Sequence, residues 1–161
     1  MVESHVALET GLLFNLSPQQ LVACAPNDDH CGGVGGCLGS IPELAFDYLV
    51  DVGGMAEEWS WGYESYTGAT NGTCNELNPI PNSNPTKAGI GGYIKLEEND
   101  ANAVMTALAA VGPLAINVDA SVWSAYEVRR QSVVEDHYCL PNERQNHRRR
   151  NTKHISAKLI N

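Results

Sequence analysis

Five cysteines, Cys24, Cys31, Cys37, Cys74 and Cys139, and five histidines are the side chains whose chemistry could go beyond packing. Two uses compete for the thiols. Cys24, Cys31 and Cys37 with His30 could hold zinc, but the intervals of six and five residues exceed the usual C-x2-4-C spacing. Disulfides are the expected use, and they imply a secreted, lysosomal or vacuolar compartment. The odd count leaves at least one cysteine without an internal partner. No metal or cofactor is expected.

A nucleophilic cysteine needs a histidine facing it across a cleft and a third group orienting the ring. His30 and Cys31 are sequence neighbours, which does not meet that demand. His5 falls on a helix, as a surface or cleft-side residue. His137, His147 and His154 fall in a basic tail. No residue is assigned a catalytic role. Asn15-Leu16-Ser17 and Asn71-Gly72-Thr73 fit the N-glycosylation sequon, the first being followed by Pro18.

The elements that must position these groups can be read from capping and periodicity. Residues 2–10 read as a helix with Val2, Val6, Ala7 and Leu8 on its apolar face and Gly11 closing it. Ser17-Pro18-Gln19-Gln20 opens a second helix as a capping box, with Leu21, Val22 and Cys24 inward. Residues 25–40 form a glycine-rich loop. Ser40-Ile41-Pro42-Glu43 starts a third helix by the same logic, with Ala45, Phe46, Leu49 and Val50 inward and Gly53-Gly54 at its end. Trp59, Trp61, Tyr63 and Tyr66 are expected to pin the long loop 55–86 to the core, a sugar platform being the lesser reading. Residues 90–96 read as a strand, and Leu114, Ile116 and Val118 alternate with Ala115, Asn117 and Asp119 as in a half-buried strand. Between them Asp100 caps a helix that ends at Gly112-Pro113. The class implied is α+β.

Charge divides the chain. Residues 1–127 hold 16 acidic residues against Lys87 and Lys95, and all 15 glycines. Residues 128–161 hold eight Lys/Arg against Glu135, Asp136 and Glu143. The expected organisation is a partial domain over 1–127 and a divergent, disordered basic tail over 128–161. Arg148-Arg149-Arg150 has no aromatic interleaving, so no nucleic-acid partner is expected. No apolar stretch is long enough to span a membrane, and no membrane partner is expected. Met1-Val2-Glu3-Ser4-His5 has no signal-peptide pattern, so the chain is expected to lack its true N-terminus.

Six stretches, in order, resemble the papain-like cysteine proteases: Val2 to Gly11; Leu16-Ser17-Pro18-Gln19-Gln20-Leu21-Val22-Ala23-Cys24; Gly36-Cys37-Leu38-Gly39-Ser40; Ala45-Phe46-Asp47-Tyr48 with Gly53-Gly54; Tyr63-Glu64-Ser65-Tyr66 with Cys74; and Gly112 to Ala120. The third departs from GCNGG at Leu38 and Ser40, and the fifth from YPY at Glu64. The resemblance ends near residue 127. It implies an incomplete papain-like fold, a helical lobe with part of a β-rich lobe.

It also implies roles for particular residues. Cys24 and Cys74 would pair. Cys37 would be left without its family partner, a cysteine of the motif C-G-[SA]-C-[WY], which this sequence does not contain. Cys31 and Cys139 have no implied role. Gly39, Ser40, Ile41 and Pro42 would line a peptide-binding cleft, with Ala115 on the opposite wall. The family's histidine stands in an N-H-A-V context followed by N-S-W, and neither full motif is present. The expected activity of the family is peptide-bond hydrolysis by a thiolate, with a peptide or protein as partner and the lysosome, vacuole or extracellular space as location. The chain as written is expected to be inactive. The alternatives are a truncated or mis-joined protease, a non-catalytic peptide-binding or decoy relative, and an unrelated disulfide-bonded extracellular module.

Overall fold

The computed structural model describes residues 1–68, 70–74 and 88–117. Four α-helices follow in order: α1 (Val2–Thr10), α2 (Pro18–Cys24), α3 (Pro42–Val52) and α4 (Ala101–Val111), with a 3-10 turn at Gly36–Leu38 before α3. Residues 128–161, with Cys139 and the three tail histidines, lie outside the described residues, and so do the expectations placed on them.

The helix ends obey local chemistry. Gly11 takes φ 73° and returns its N–H to Ala7 O, and Gly53 does the same to Leu49 O with φ 74°. Both are left-handed closures that a residue with a Cβ resists. At α4 the Asp100 carboxylate accepts from Asn102 N at 2.9 Å and Ala103 N at 3.0 Å. Asp100→Ala is therefore expected to cost about 1 kcal/mol. An unchanged urea midpoint would show that the cap contributes nothing.

Three local expectations are corrected by partners further off. The α1 face is one: Val6 and His5 are buried, whereas Leu8 is exposed. His5 can be buried because its Nε2 lies 2.8 Å from Pro113 O. The capping box of α2 is half made. Ser17 Oγ accepts from Gln20 N at 3.2 Å, but the Ser17 N–H goes to Ala56 O at 2.9 Å. The Gln20 amide instead accepts from Ala56 N at 2.7 Å and donates to Tyr48 Oη at 3.1 Å. Gln19 and Gln20 are thus the buried side of α2, and Leu21, Val22 and Cys24 are only half-buried. At α3 the cap position is Ile41, with no side-chain cap bond, and Ser40 is exposed. Pro42 holds Ile41 extended at φ −117° and ψ 152°, so proline rather than serine sets the start.

The core gathers around α3. Leu49 is 1% exposed and packs with Val6, Leu16, Met55, Ala88 and Ile90. An isolated antiparallel bridge joins Leu16 to Glu57. Segments 90–96 and 114–117 form no strand among the described residues. Alternation specifies a buried face, but a strand also needs a neighbour to take its backbone groups. The α+β class is represented here by its helical part.

The loop after residue 54 is held differently from expectation. Trp59 and Tyr66 are exposed, at 76% and 81%, so they do not pin it. The tethers are the Cys24–Cys74 disulfide, the two α2 glutamines, and Ser17 Oγ donating to Trp61 O at 2.6 Å. Each gives a partner to a backbone or side-chain group that packing alone would leave unpaired.

Candidate functional site

The site is built from the loop 27–41 and a cavity beside it. Asn27 is a buried knot within the loop. Its Oδ1 accepts from Cys31 N at 2.7 Å, and its Nδ2 faces Cys31 O at 3.0 Å, Gly33 O at 3.0 Å and Gly39 O at 3.3 Å. Gly35 N also donates to Gly39 O, at 2.8 Å. A Cβ at Gly33 would stand 2.2 Å from Leu38 O, and one at Gly39 would stand 2.5 Å from Gly32 O. Glycine at these two positions lets the loop fold on itself. The room at Gly39 is taken by the loop's own carbonyl.

Ile41, half-buried, leaves this loop as the cap position of α3, and Pro42 is the first residue of the helix. Pro42 lines a cavity of ≈ 240 Å³ together with Met1, His5, Phe46, Val111 and Ala115. The N-terminal end of α1, the start of α3 and the segment after α4 therefore meet at one place. Glu43 and Lys95 supply charge to the lining. Lys95 Nζ is 2.9 Å from Glu98 and 3.9 Å from Glu43, while Glu43 Oε2 is buried without a hydrogen-bond partner.

The residues expected to bind substrate divide accordingly. Pro42 and Ala115 come together on the cavity. Gly39, Ser40 and Ile41 are not part of its lining and belong to the adjoining loop. Asn27 and His5 organise the region. The signal for Asn27 lay in Pro26-Asn27-Asp28, since an Asn carboxamide after proline favours turns that bond their own backbone. His5 carried no local signal, because its partner Pro113 is 108 residues away.

The thiols are largely committed. Cys24 is bonded to Cys74, and Cys31 is also in a disulfide. Among the described residues Cys37 is the free thiol, and it donates to Thr70 O at 3.5 Å rather than to an imidazole. The disulfide at Cys24 removes a ligand from the zinc arrangement considered above. Among the described residues no cluster of His, Cys, Asp or Glu could hold a metal ion. The arrangement can present an apolar, partly charged recess to an extended ligand. Among the described residues it does not pair a nucleophile with a base.

Comparison with known proteins agrees with the helical frame. A sequence profile described as papain family cysteine protease matches residues 1–150. Procathepsin L of Mus musculus is 34% identical over 120 residues, covering 74% of this chain and 32% of that protein. Cathepsin S of Mus musculus is 33% identical over 141 residues, covering 88% and 38%. The bromelain protease from Ananas comosus, solved in complex with the E64 inhibitor, superposes with a TM-score of 0.53 at 31% identity, over 67% of this chain and 43% of that one. The chain spans about a third of the length of these cathepsins. The profile match runs beyond residue 127 and takes in Asn146-His147. These two residues repeat the first half of N-H-A-V, with Arg148-Arg149 in place of its apolar half.

Proposed function

This chain belongs to the papain family of cysteine proteases, and from that premise we propose that it contributes the helical wall of a peptide-binding cleft and does not itself cleave peptides. The observation that carries the proposal is the cavity where Met1, Pro42 and Ala115 meet. A nucleophile just ahead of α1 would sit where that helix opens on the recess. The positive end of the helix dipole would favour a thiolate there. The recess would take an apolar side chain of an extended peptide, with Pro42 as a rigid wall. In the whole protein such a thiolate would attack the scissile carbonyl and a facing imidazole would protonate the leaving amine. The 161 residues carry no C-G-[SA]-C-[WY] motif to supply that thiolate. Secretion or delivery to a lysosome fits the Cys24–Cys74 disulfide.

The test is hydrolysis of a fluorogenic dipeptide at mildly acidic pH, with reductant low enough to leave Cys24–Cys74 intact. Circular dichroism confirms that the sample is folded. The expected rate equals that of the buffer blank, since nucleophile and base act as a unit and loss of either is not a graded defect. Turnover abolished by E64 would overturn the proposal. A peptide-binding relative without catalysis is the second reading, favoured by the recess standing among residues with no thiol–imidazole pair. It predicts saturable binding of an extended peptide that is recovered uncut.

A further inference from the structure

We propose that Asn71 is the acceptor of an N-linked oligosaccharide and that Asn15 is not. Both asparagines head an N-x-S/T sequon, and both are exposed. What separates them is the rest of each tripeptide. The hydroxyl two residues on is the group that an oligosaccharyltransferase must engage.

At Asn15 that demand is not met. Ser17 is 0% exposed. Its Oγ donates to Trp61 O at 2.6 Å and accepts from Gln20 N at 3.2 Å, so its donor is committed to the loop at Trp61 and an acceptor site to the start of α2. Pro18 follows at once as the first helical residue and removes the backbone freedom that the enzyme needs.

At Asn71 it is met. Asn71 and Thr73 are exposed, and Gly72 between them turns with φ 77°, a conformation open to glycine. The Asn71 side chain is oriented by its oxygen, which accepts from Cys37 N at 2.9 Å, and it lies over Gly36, where a Cβ would come within 2.2 Å of it. Its backbone carbonyl accepts from Gln19 Nε2 at 2.9 Å. Nδ2 has no hydrogen-bond partner among the described residues. Glycosylation substitutes one hydrogen on Nδ2 and leaves Oδ1 as the acceptor, so the bond to Cys37 survives modification. In the reaction Nδ2 bonds to C1 of an oligosaccharide carried on a lipid diphosphate. The C1–O bond breaks, the lipid diphosphate leaves with the electron pair, and one amide proton passes to a base. The disulfide at Cys74, three residues on, suits the compartment in which that donor is found.

The experiment is cell-free translation of the full chain behind a cleavable secretory leader, with endoplasmic-reticulum microsomes. Only chains protected from added protease are scored. Protected wild-type chains are expected to show a single mobility step that peptide N-glycosidase removes. The step should vanish in Asn71→Gln and in Thr73→Ala, and persist in Thr73→Ser and in Asn15→Gln. Protected chains without a step, a step that vanishes only in Asn15→Gln, or two steps in the wild type would each overturn the proposal. The result is independent of peptidase activity.

Discussion

Replacing Cys24 and Cys74 together by alanine is expected to lower the unfolding free energy by about 4 kcal/mol. The bond joins residues 50 apart in sequence, a long loop for the unfolded chain to lose. In the chain-entropy view a cross-link acts mainly by restricting the unfolded ensemble, and its effect grows with the logarithm of that loop. The native state should change little, because the bond is one of several tethers between α2 and the segment 63–74. The measurement is urea unfolding of the oxidised wild type and the double variant. A difference under about 1 kcal/mol would mean that the unfolded chain already holds these segments together.

The second large effect is expected at Gln19. Its side chain is fully buried on α2 and serves four groups. Oε1 accepts from Glu64 N at 2.7 Å and Ser65 N at 3.1 Å, while Nε2 donates to Asn71 O at 2.9 Å and Ser65 Oγ at 3.0 Å. Gln19→Met keeps the length and removes every one of these bonds. The backbone groups of residues 64, 65 and 71 would then lose their partner, and each group left buried and unsatisfied costs roughly 1–3 kcal/mol. Water can reach Glu64 and Asn71, which are exposed, so the expected total is about 3 kcal/mol rather than the full sum. Gln19→Glu keeps the acceptor but sets a buried carboxylate oxygen against Asn71 O, so it should be no more stable than the Met variant. A Met variant as stable as wild type would show that the segment is held by other contacts. The two effects should not add. Gln19 and the disulfide restrain the same segment, so a double-mutant cycle between them should show coupling.

The shared order of short motifs, from Val2 to Ala120, is enough to place the chain in its family, and the resemblance implies the Cys24–Cys74 pair that the structure contains. Four helices, and the stops at Gly11, Gly53 and Gly112, were legible for a simpler reason. A cap, a proline at the first helical turn or a left-handed glycine acts within a few residues of itself, so its consequence is written where it stands. Pro42 and Ala115 both line the cavity.

Other features depended on residues too distant for any local rule. Gln19 and Gln20 look like ordinary surface residues of a helix start. They are buried because backbone groups at positions 54–71 lack other partners. His5 is buried for the same reason, by a carbonyl at Pro113. Trp59 and Tyr66 resemble core residues by type, yet both are exposed, because polar side chains already hold their loop. Residues 90–96 and the alternation over 114–118 read as strands, but pairing belongs to two segments at once, and among the described residues no ladder forms. The sequence by itself determined the family, the helices and the covalent tether. Which polar groups go inside, and which of two sequons keeps its hydroxyl free, was decided by the tertiary structure. A buried donor or acceptor is tolerated only where the folded chain brings it a partner.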